Sequence, residues 1–386
     1  MLLDELRRHG RWLLIFDNAE HPQDLRLYWP GGGRGNVLVT SRNPAWAGWT
    51  ASVEVDVLPR ADSVAFLRRR LGRDEPAFHR LAEALGDLPL ALEQAAAYLE
   101  ETATAVDDHL ELLAIRAGEL FQLGRPATTE QTIATVWSVS IQRLRAQTPA
   151  AEDVLCLCSF LAADDIPRSL PTDHPEVLPE RLAATVRDPL RYQQAIGALR
   201  RYSLIKTSQD GKAMSLHRLV QAVTRQLGSE QQHQWATAAL RLLRAAFPNR
   251  LGDVDAWPDY ARLLPHTLAV IDHAEAQGID ILQTTWLLRE AGAYLSERAD
   301  YEQARQLFER ALALDEAHFG ADHPVTIQNL SNLANVLADE GDLAGARRLY
   351  ERALAIYEAR LGPDHPDTAR GRRDLAVLTA ELDKGP

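Results

Sequence analysis

The amino-acid pattern predicts a mostly α-helical protein that opens with a partial α/β sheet and closes with an α-solenoid. Short apolar runs stand near the start, helix-period stretches fill the middle, and a segment of fixed length repeats without slippage near the end. The chain has 386 residues, 46% of them hydrophobic. Single cores stop growing at about 250 to 300 residues, so more than one domain is expected.

Trp12 to Phe16, Val37 to Thr40 and the alternating Val53, Val55 and Val57 read as strands. The first two are apolar throughout, as strands buried on both faces are, and the 20 residues between them suit a crossover joining parallel neighbours. From Ala61 to Arg116 the period is helical, with breaks at Gly72, at Gly86 to Pro89 and at Thr102 to Thr104. Between Thr129 and Leu227, helices lead into Tyr202 to Thr207, an Asp210-Gly211 turn and Ala213 to Leu216. This is a β-hairpin feeding a helix at His217, the order of a winged helix.

Beyond Ser229 everything reads as helix, and from Ile281 an internal repeat sets in. Gly320-Ala321-Asp322-His323-Pro324 returns as Gly362-Pro363-Asp364-His365-Pro366, 42 residues later. Leu307 to Leu312 returns as Leu349 to Leu354 at the same spacing. One helix pair cannot bury its own apolar face, so pairs at a fixed period stack into a solenoid. Two full pairs and a final half, Asp367 to Glu381, are visible. Asp-His-Pro ends one pair and begins the next, with Pro324 and Pro366 in first-turn positions that need no amide donor. The expected division is a sheet at 1–58, a helical module at 59–125, a winged helix at 126–228, linking helices at 229–280 and repeats at 281–386.

Composition narrows the partners. Lys and Arg number 42 against 54 Asp and Glu, a formal charge of −12, which argues against general binding to a nucleic-acid backbone. Cys156 and Cys158 are the only cysteines, too few and too close for a disulfide framework or a zinc site, and they fit a reducing, cytoplasmic setting. No apolar run approaches the roughly 18 to 20 residues of a membrane span. The start MLLDELRRHG carries charge where a signal peptide is apolar.

Asp17 and Arg42 each stand just past the carboxyl end of a predicted buried strand, the edge at which open α/β sheets bind ligands. The apolar strand ending in Asp17 resembles a Walker B element, and Val37-Leu38-Val39-Thr40-Ser41-Arg42 resembles the sensor strand of the STAND class of signalling P-loop ATPases, in particular the NB-ARC family. Gly86-Asp87-Leu88-Pro89-Leu90-Ala91-Leu92 is similar to that family's GLPLAL motif, and Leu216-His217-Arg218 to its Met-His-Asp triplet. The 42-residue repeats look like the tetratricopeptide variety of kinesin light chains. The resemblance covers nearly the whole chain, and the joint order of its motifs is more specific than any one of them.

The resemblance implies a truncated P-loop NTPase core, a winged helix and tetratricopeptide repeats, with ADP or ATP and Mg2+ as cofactors. It gives Asp17 the magnesium and its water, Arg42 the γ-phosphate, Thr40 and Ser41 places in the nucleotide site, Pro89 the adenine and His217 the β-phosphate of ADP. It also allows self-assembly in an active state. Three departures stand out. No stretch matches GxxxxGK[ST], so the phosphate loop is expected upstream of Met1; Gly31 to Gly35 leads into a strand and lacks the Lys-Ser/Thr pair. Asn18 occupies the place of a second acidic residue, and an amide cannot accept the proton of an attacking water, so independent hydrolysis is not expected. Arg218 replaces the triplet's carboxylate.

Three functions compete. The first is a nucleotide-controlled signalling switch whose repeats bind a protein trigger. The second is a nucleotide-independent adaptor, gripping a peptide through Asn329, Asn332 and Asn335, which share one helix face. The third is a transcription regulator, using Arg200, Arg201, Lys206, Arg218 and Arg225 of the winged helix. The acidic balance favours the first over the third.

Overall fold

The computed structural model describes residues 5–6, 8, 10–17, 19, 22–30, 35–41, 43, 46, 48–120, 133–248 and 253–382. Its contacts divide the chain into two units. One comprises Met1–Ser159, Ala163–Thr172 and Glu180–Ser229; the other comprises Phe160–Ala162, Asp173–Pro179 and Glu230–Pro386.

The first unit opens with β1 (Leu13–Phe16) and β2 (Asn36–Val39), paired in parallel with Phe16 opposite Val39. The crossover expected from their spacing is therefore present. Burial on both faces is not: Leu13, Ile15 and Leu38 are 61%, 55% and 52% exposed, because no described element covers that face. The third predicted strand is also corrected. Residues 51–59 form no strand, and Val53 and Val55 stand 86% and 93% exposed. Their alternation is real, but a strand needs a neighbouring edge to hydrogen-bond with, and this segment is held instead by ion pairs from Lys206 to Asp56 (2.7 Å) and Glu54 (3.9 Å).

Four helices follow: α1 (Arg60–Leu71), α2 (Ala77–Ala84), α3 (Pro89–Thr102) and α4 (Val106–Leu120). The breaks read from sequence are their boundaries. Gly72 adopts the left-handed conformation that ends α1 (φ 65°), and Pro89 opens α3 at its first position, where a missing amide costs nothing. Val64, Leu67, Phe78, Leu81, Leu85 and Leu92 fill the core between these helices.

Then come α5 (Ile133–Gln147), α6 (Pro149–Cys158), β3 (Ile166–Pro167), α7 (Leu170–Asp173), α8 (Glu180–Arg187), α9 (Pro189–Arg201), β4 (Lys206–Thr207), β5 (Ala213–Ser215) and α10 (Arg218–Leu227). Asp188 caps α9 by accepting from the Leu190 and Arg191 amides at 3.0 and 3.3 Å. The hairpin β4–β5 forms around the Asp210-Gly211 turn, with Lys206 opposite Ser215. β3, which periodicity did not reveal, joins it on the far side of β5. Two residues are too short a run to show a pattern.

The second unit contains α11 (Gln232–Ala246), α12 (Trp257–Gln277), α13 (Ile281–Glu297), α14 (Tyr301–Phe319), α15 (Thr326–Asp339), α16 (Leu343–Leu361) and α17 (Pro366–Leu382). The 42-residue period is visible in its hydrogen bonds. Asp300 caps α14 through the Gln303 amide, and Asp342 caps α16 through the Gly345 amide. Gly320 and Gly362 end those helices at φ 94° and 88°, a region that only glycine enters freely. His323 Nδ1 accepts from the Val325 amide and His365 Nδ1 from the Asp367 amide, both at 3.2 Å. Arg310 reaches back to Asp272 and Glu275, and Arg352 reaches back to Glu316 and the Ala321 carbonyl. One detail differs from expectation: Pro366 is the first residue of α17, whereas Pro324 lies in the turn before α15.

Replacing either cap by alanine, Asp300→Ala or Asp342→Ala, is expected to cost about 1 kcal/mol in chemical denaturation. The two losses should add in the double variant, since the caps share no partner; a non-additive result would contradict their independence.

Candidate functional site

The parallel pairing of β1 and β2 delivers the residues after both strands to one edge. The Thr40 hydroxyl donates to Asp17 Oδ1 at 2.6 Å, the Thr40 amide donates to the Phe16 carbonyl, and the Ala19 amide donates to the Thr40 carbonyl. Asp17 and Thr40 thus converge at the carboxyl edge, and both are exposed. Ser41 is turned into its own loop, where its hydroxyl accepts from the Asn43 amide at 3.0 Å. Arg42 and Asn18 lie outside the described residues. The donor set at this edge, one carboxylate and one hydroxyl, is of the hard-oxygen type that suits Mg2+.

A second cluster forms around Pro89. Two consecutive left-handed residues, Gly86 (φ 61°) and Asp87 (φ 56°), turn the chain from α2 into α3 and leave Pro89 exposed. Asp87 is fastened by a two-pronged pair with the Arg60 guanidinium, 2.8 Å on each prong, and its carbonyl accepts from the Leu58 amide at 3.0 Å. The pair with Arg60 draws the Asp87 pKa below its ordinary value.

His217 meets this turn. It caps α10 with Nδ1 accepting from the Leu219 amide at 3.2 Å, so in the neutral ring the proton sits on Nε2, which lies 3.4 Å from the Gly86 carbonyl. Burial lowers the His217 pKa, and that neutral state keeps Nδ1 available as a cap. A methyl group on Gly86 would come within 2.2 Å of His217 Nε2, so glycine at this position is what lets the ring approach. Leu219, the second residue of α10, is buried in the core of the α1–α4 module.

The asparagines of the repeat face are placed differently from one another. Asn329 is fully buried and donates to Asp315 Oδ2 at 2.6 Å, which removes it as a peptide-gripping residue. Asn335 is exposed and accepts from the Tyr350 hydroxyl, and Asn332 is half-buried. A three-residue spacing does share a helix face, but that face wraps from the inter-helix core to solvent. Among the basic residues of the hairpin region, Lys206 holds Asp56, and Arg225 is half-buried against the Ser159 carbonyl, where loss of solvent pushes its pKa down to about 10. Cys156 and Cys158 are free and buried, with thiol pKa values pushed up to about 12 by burial. No helix among the described residues is long and apolar enough to cross a membrane.

Residues 282–359 and 325–384 match the tetratricopeptide repeat family, and residues 142–233 match a domain of unknown function, DUF7779. A nucleotide-binding leucine-rich repeat (NLR)-like protein from Hyaloscypha variabilis is 28% identical over 364 residues. The alignment takes in 83% of this chain and 35% of that protein, so the chain spans about a third of the length of the relative. Among solved structures, BtubC (BKLC) from P. vanneervenii aligns at 16% identity and a TM-score of 0.33, over 56% of this chain and 82% of its own. A Signal Transduction ATPase with Numerous Domains (STAND) protein with a tetratricopeptide repeat sensor, from Pyrococcus horikoshii, aligns at 12% identity and a TM-score of 0.24, over 98% and 72%. The chain is thus similar to one nucleotide-binding leucine-rich repeat (NLR)-like protein along most of its length, and its carboxyl end matches tetratricopeptide repeats.

Two outcomes follow for the His217 contact. Gly86→Ala should destabilise the protein by about 1–2 kcal/mol through its left-handed backbone alone, with a further loss from the clash. In a double-mutant cycle His217→Ala should recover that further part, giving a coupling energy clearly different from zero. Because burial holds His217 below its ordinary pKa, and His109 down at about 4, the unfolded chain takes up protons that the folded one refuses. Their stabilising contribution is complete above the unfolded pKa of about 6.5 and is lost as pH falls. Urea midpoints should therefore drop on acidification from pH 7.5 to 5.5, less steeply in His217→Gln.

Proposed function

We propose that this chain is part of a cytoplasmic, nucleotide-controlled signalling switch whose tetratricopeptide repeats receive a protein trigger. The observation that carries the reading is the meeting of Asp17 and Thr40 at the carboxyl edge of two parallel strands. Similarity over 83% of the chain to an NLR-like protein supports it. In this reading residues 1–58 and 59–125 hold nucleotide, 126–228 act as a lever, 229–280 link, and 281–386 sense.

Asp17 would hold magnesium through a water, with Thr40 fixing the carboxylate's rotamer through its hydroxyl. Such an ion would supply neutralisation of phosphate charge. The resemblance gives Arg42 the γ-phosphate; Ser41, whose hydroxyl is bonded to Asn43, would have to turn out of its loop to join the site, and Pro89 would offer an exposed ring edge to adenine. His217, already carrying its proton on Nε2, would give up its long contact with the Gly86 carbonyl for a phosphate oxygen at the start of α10, where free amides favour an anion. Nucleotide then works as a conformational ligand, moving the equilibrium only by the difference in its affinity for the two states.

Calorimetry on the chain extended upstream through a glycine-rich loop ending in Lys-Ser or Lys-Thr is the test. ADP should bind measurably, Asp17→Ala should weaken Mg-ATP more than ADP, and His217→Ala should weaken ADP by about 1–2 kcal/mol. Absence of any ADP or ATP binding to the extended chain would end this reading.

A further inference from the structure

Inside the repeats, one carboxyl group is arranged in a way that the switch does not use. Asp315, on α14, is fully buried among α13, α14 and α15. Asn329 Nδ2 donates to its Oδ2 at 2.6 Å. The other oxygen of each group, Asp315 Oδ1 and Asn329 Oδ1, is buried with no hydrogen-bond partner among the described residues. Two acceptors are thus left without a donor on either side of an existing bond. An ionised carboxylate cannot supply one, because all four of its lone pairs accept. Leaving such groups unsatisfied in the interior costs far more than the bond itself is worth.

We infer that Asp315 is a neutral carboxylic acid paired face to face with the Asn329 carboxamide, and that this acid–amide pair is a pH-sensitive clasp between the first and second repeats. The proton on Asp315 Oδ1 is donated to Asn329 Oδ1, while Asn329 Nδ2 donates to Asp315 Oδ2. One proton satisfies both orphaned oxygens and ties α14 to α15.

The surrounding groups divide. On α13, the Arg289 guanidinium stands 3.9 Å from Asp315 Oδ2, beyond hydrogen-bonding range, and shares its field with Glu290 beside it. The Thr285 hydroxyl, 3.4 Å from the Leu282 carbonyl, also faces Asp315 and, after burial, is the largest influence on it, favouring the ionised form. His323, in the turn before α15, is stacked on Phe319 and lends a weak positive influence. Against these, burial is the largest effect and raises the Asp315 pKa. A carboxyl whose folded pKa lies above its unfolded one stabilises fully at low pH, and that contribution is lost as pH climbs through the folded value. The clasp is therefore closed in acid and loosens toward alkaline pH, the opposite direction from His217.

Infrared spectroscopy on the full chain reads the proton directly. The carbonyl stretch of a protonated carboxyl should be present at pH 7, absent in Asp315→Asn, and lost from the wild type as pH is raised. Hydrogen exchange over residues 315–335 gives the second readout. The Asp315→Asn amide donates to Asn329 without titrating, so protection there should equal or exceed that of the wild type at pH 8 and lose its pH dependence. A missing band at pH 7, or an Asp315→Asn variant that exchanges faster than wild type at pH 8, would mean an ordinary carboxylate held by Arg289 and would overturn the inference.

Discussion

The first unit depends on a backbone constraint: two successive residues between α2 and α3 must both adopt left-handed conformations. Only then does the chain turn sharply enough for Arg60 to take Asp87 with both prongs and for the ring of His217 to lie against Gly86. Glycine is required at the first position because a side chain there would occupy the space of the imidazole. Asp87 tolerates the second because its carboxylate is held from outside the turn. Through Leu219 the same contact anchors the helix after the hairpin in the core of the module before it. Three stretches far apart in sequence are located by one turn.

What could be read from the residues depended on how much of the relevant physics is local. The repeat's period was legible, since caps and glycine helix ends recur at 42-residue spacing and act within one or two helices, although Pro324 falls in the turn before α15 and not in its first turn. The helix breaks at Gly72 and Pro89 were legible for the same reason. Strand identity was harder. Apolar runs announced β1 and β2 but not the exposure of one face, which depends on what packs over it, and the alternation at Val53 to Val57 found no edge to pair with.

Site residues followed the same rule. The meeting of Asp17 with Thr40 follows from parallel strands in register, which sequence spacing can suggest. The contact between His217 and Gly86 spans 131 positions and leaves no periodic trace. Asn329 shows the converse: three asparagines on one helix face looked equivalent, yet one of them faces a buried carboxyl contributed by the preceding helix. Its partner, Asp315, offered no signal, because a single aspartate in a helix is ordinarily a solvated residue.

The helix ends at Gly320 and Gly362 share one backbone geometry, and Arg310 and Arg352 bridge backwards to the helices before them in the same way. Each joint therefore meets its predecessor through an arginine at the same register position, one on two carboxylates and the other on a carboxylate and a backbone carbonyl. Such a module is a cassette: a tandem copy inserted in phase would meet both neighbours with complementary ends, and the array can lengthen or shorten by whole units through unequal recombination without redesigning either terminus. The length of the repeat array is thus open to variation independently of the unit that carries Asp17 and His217.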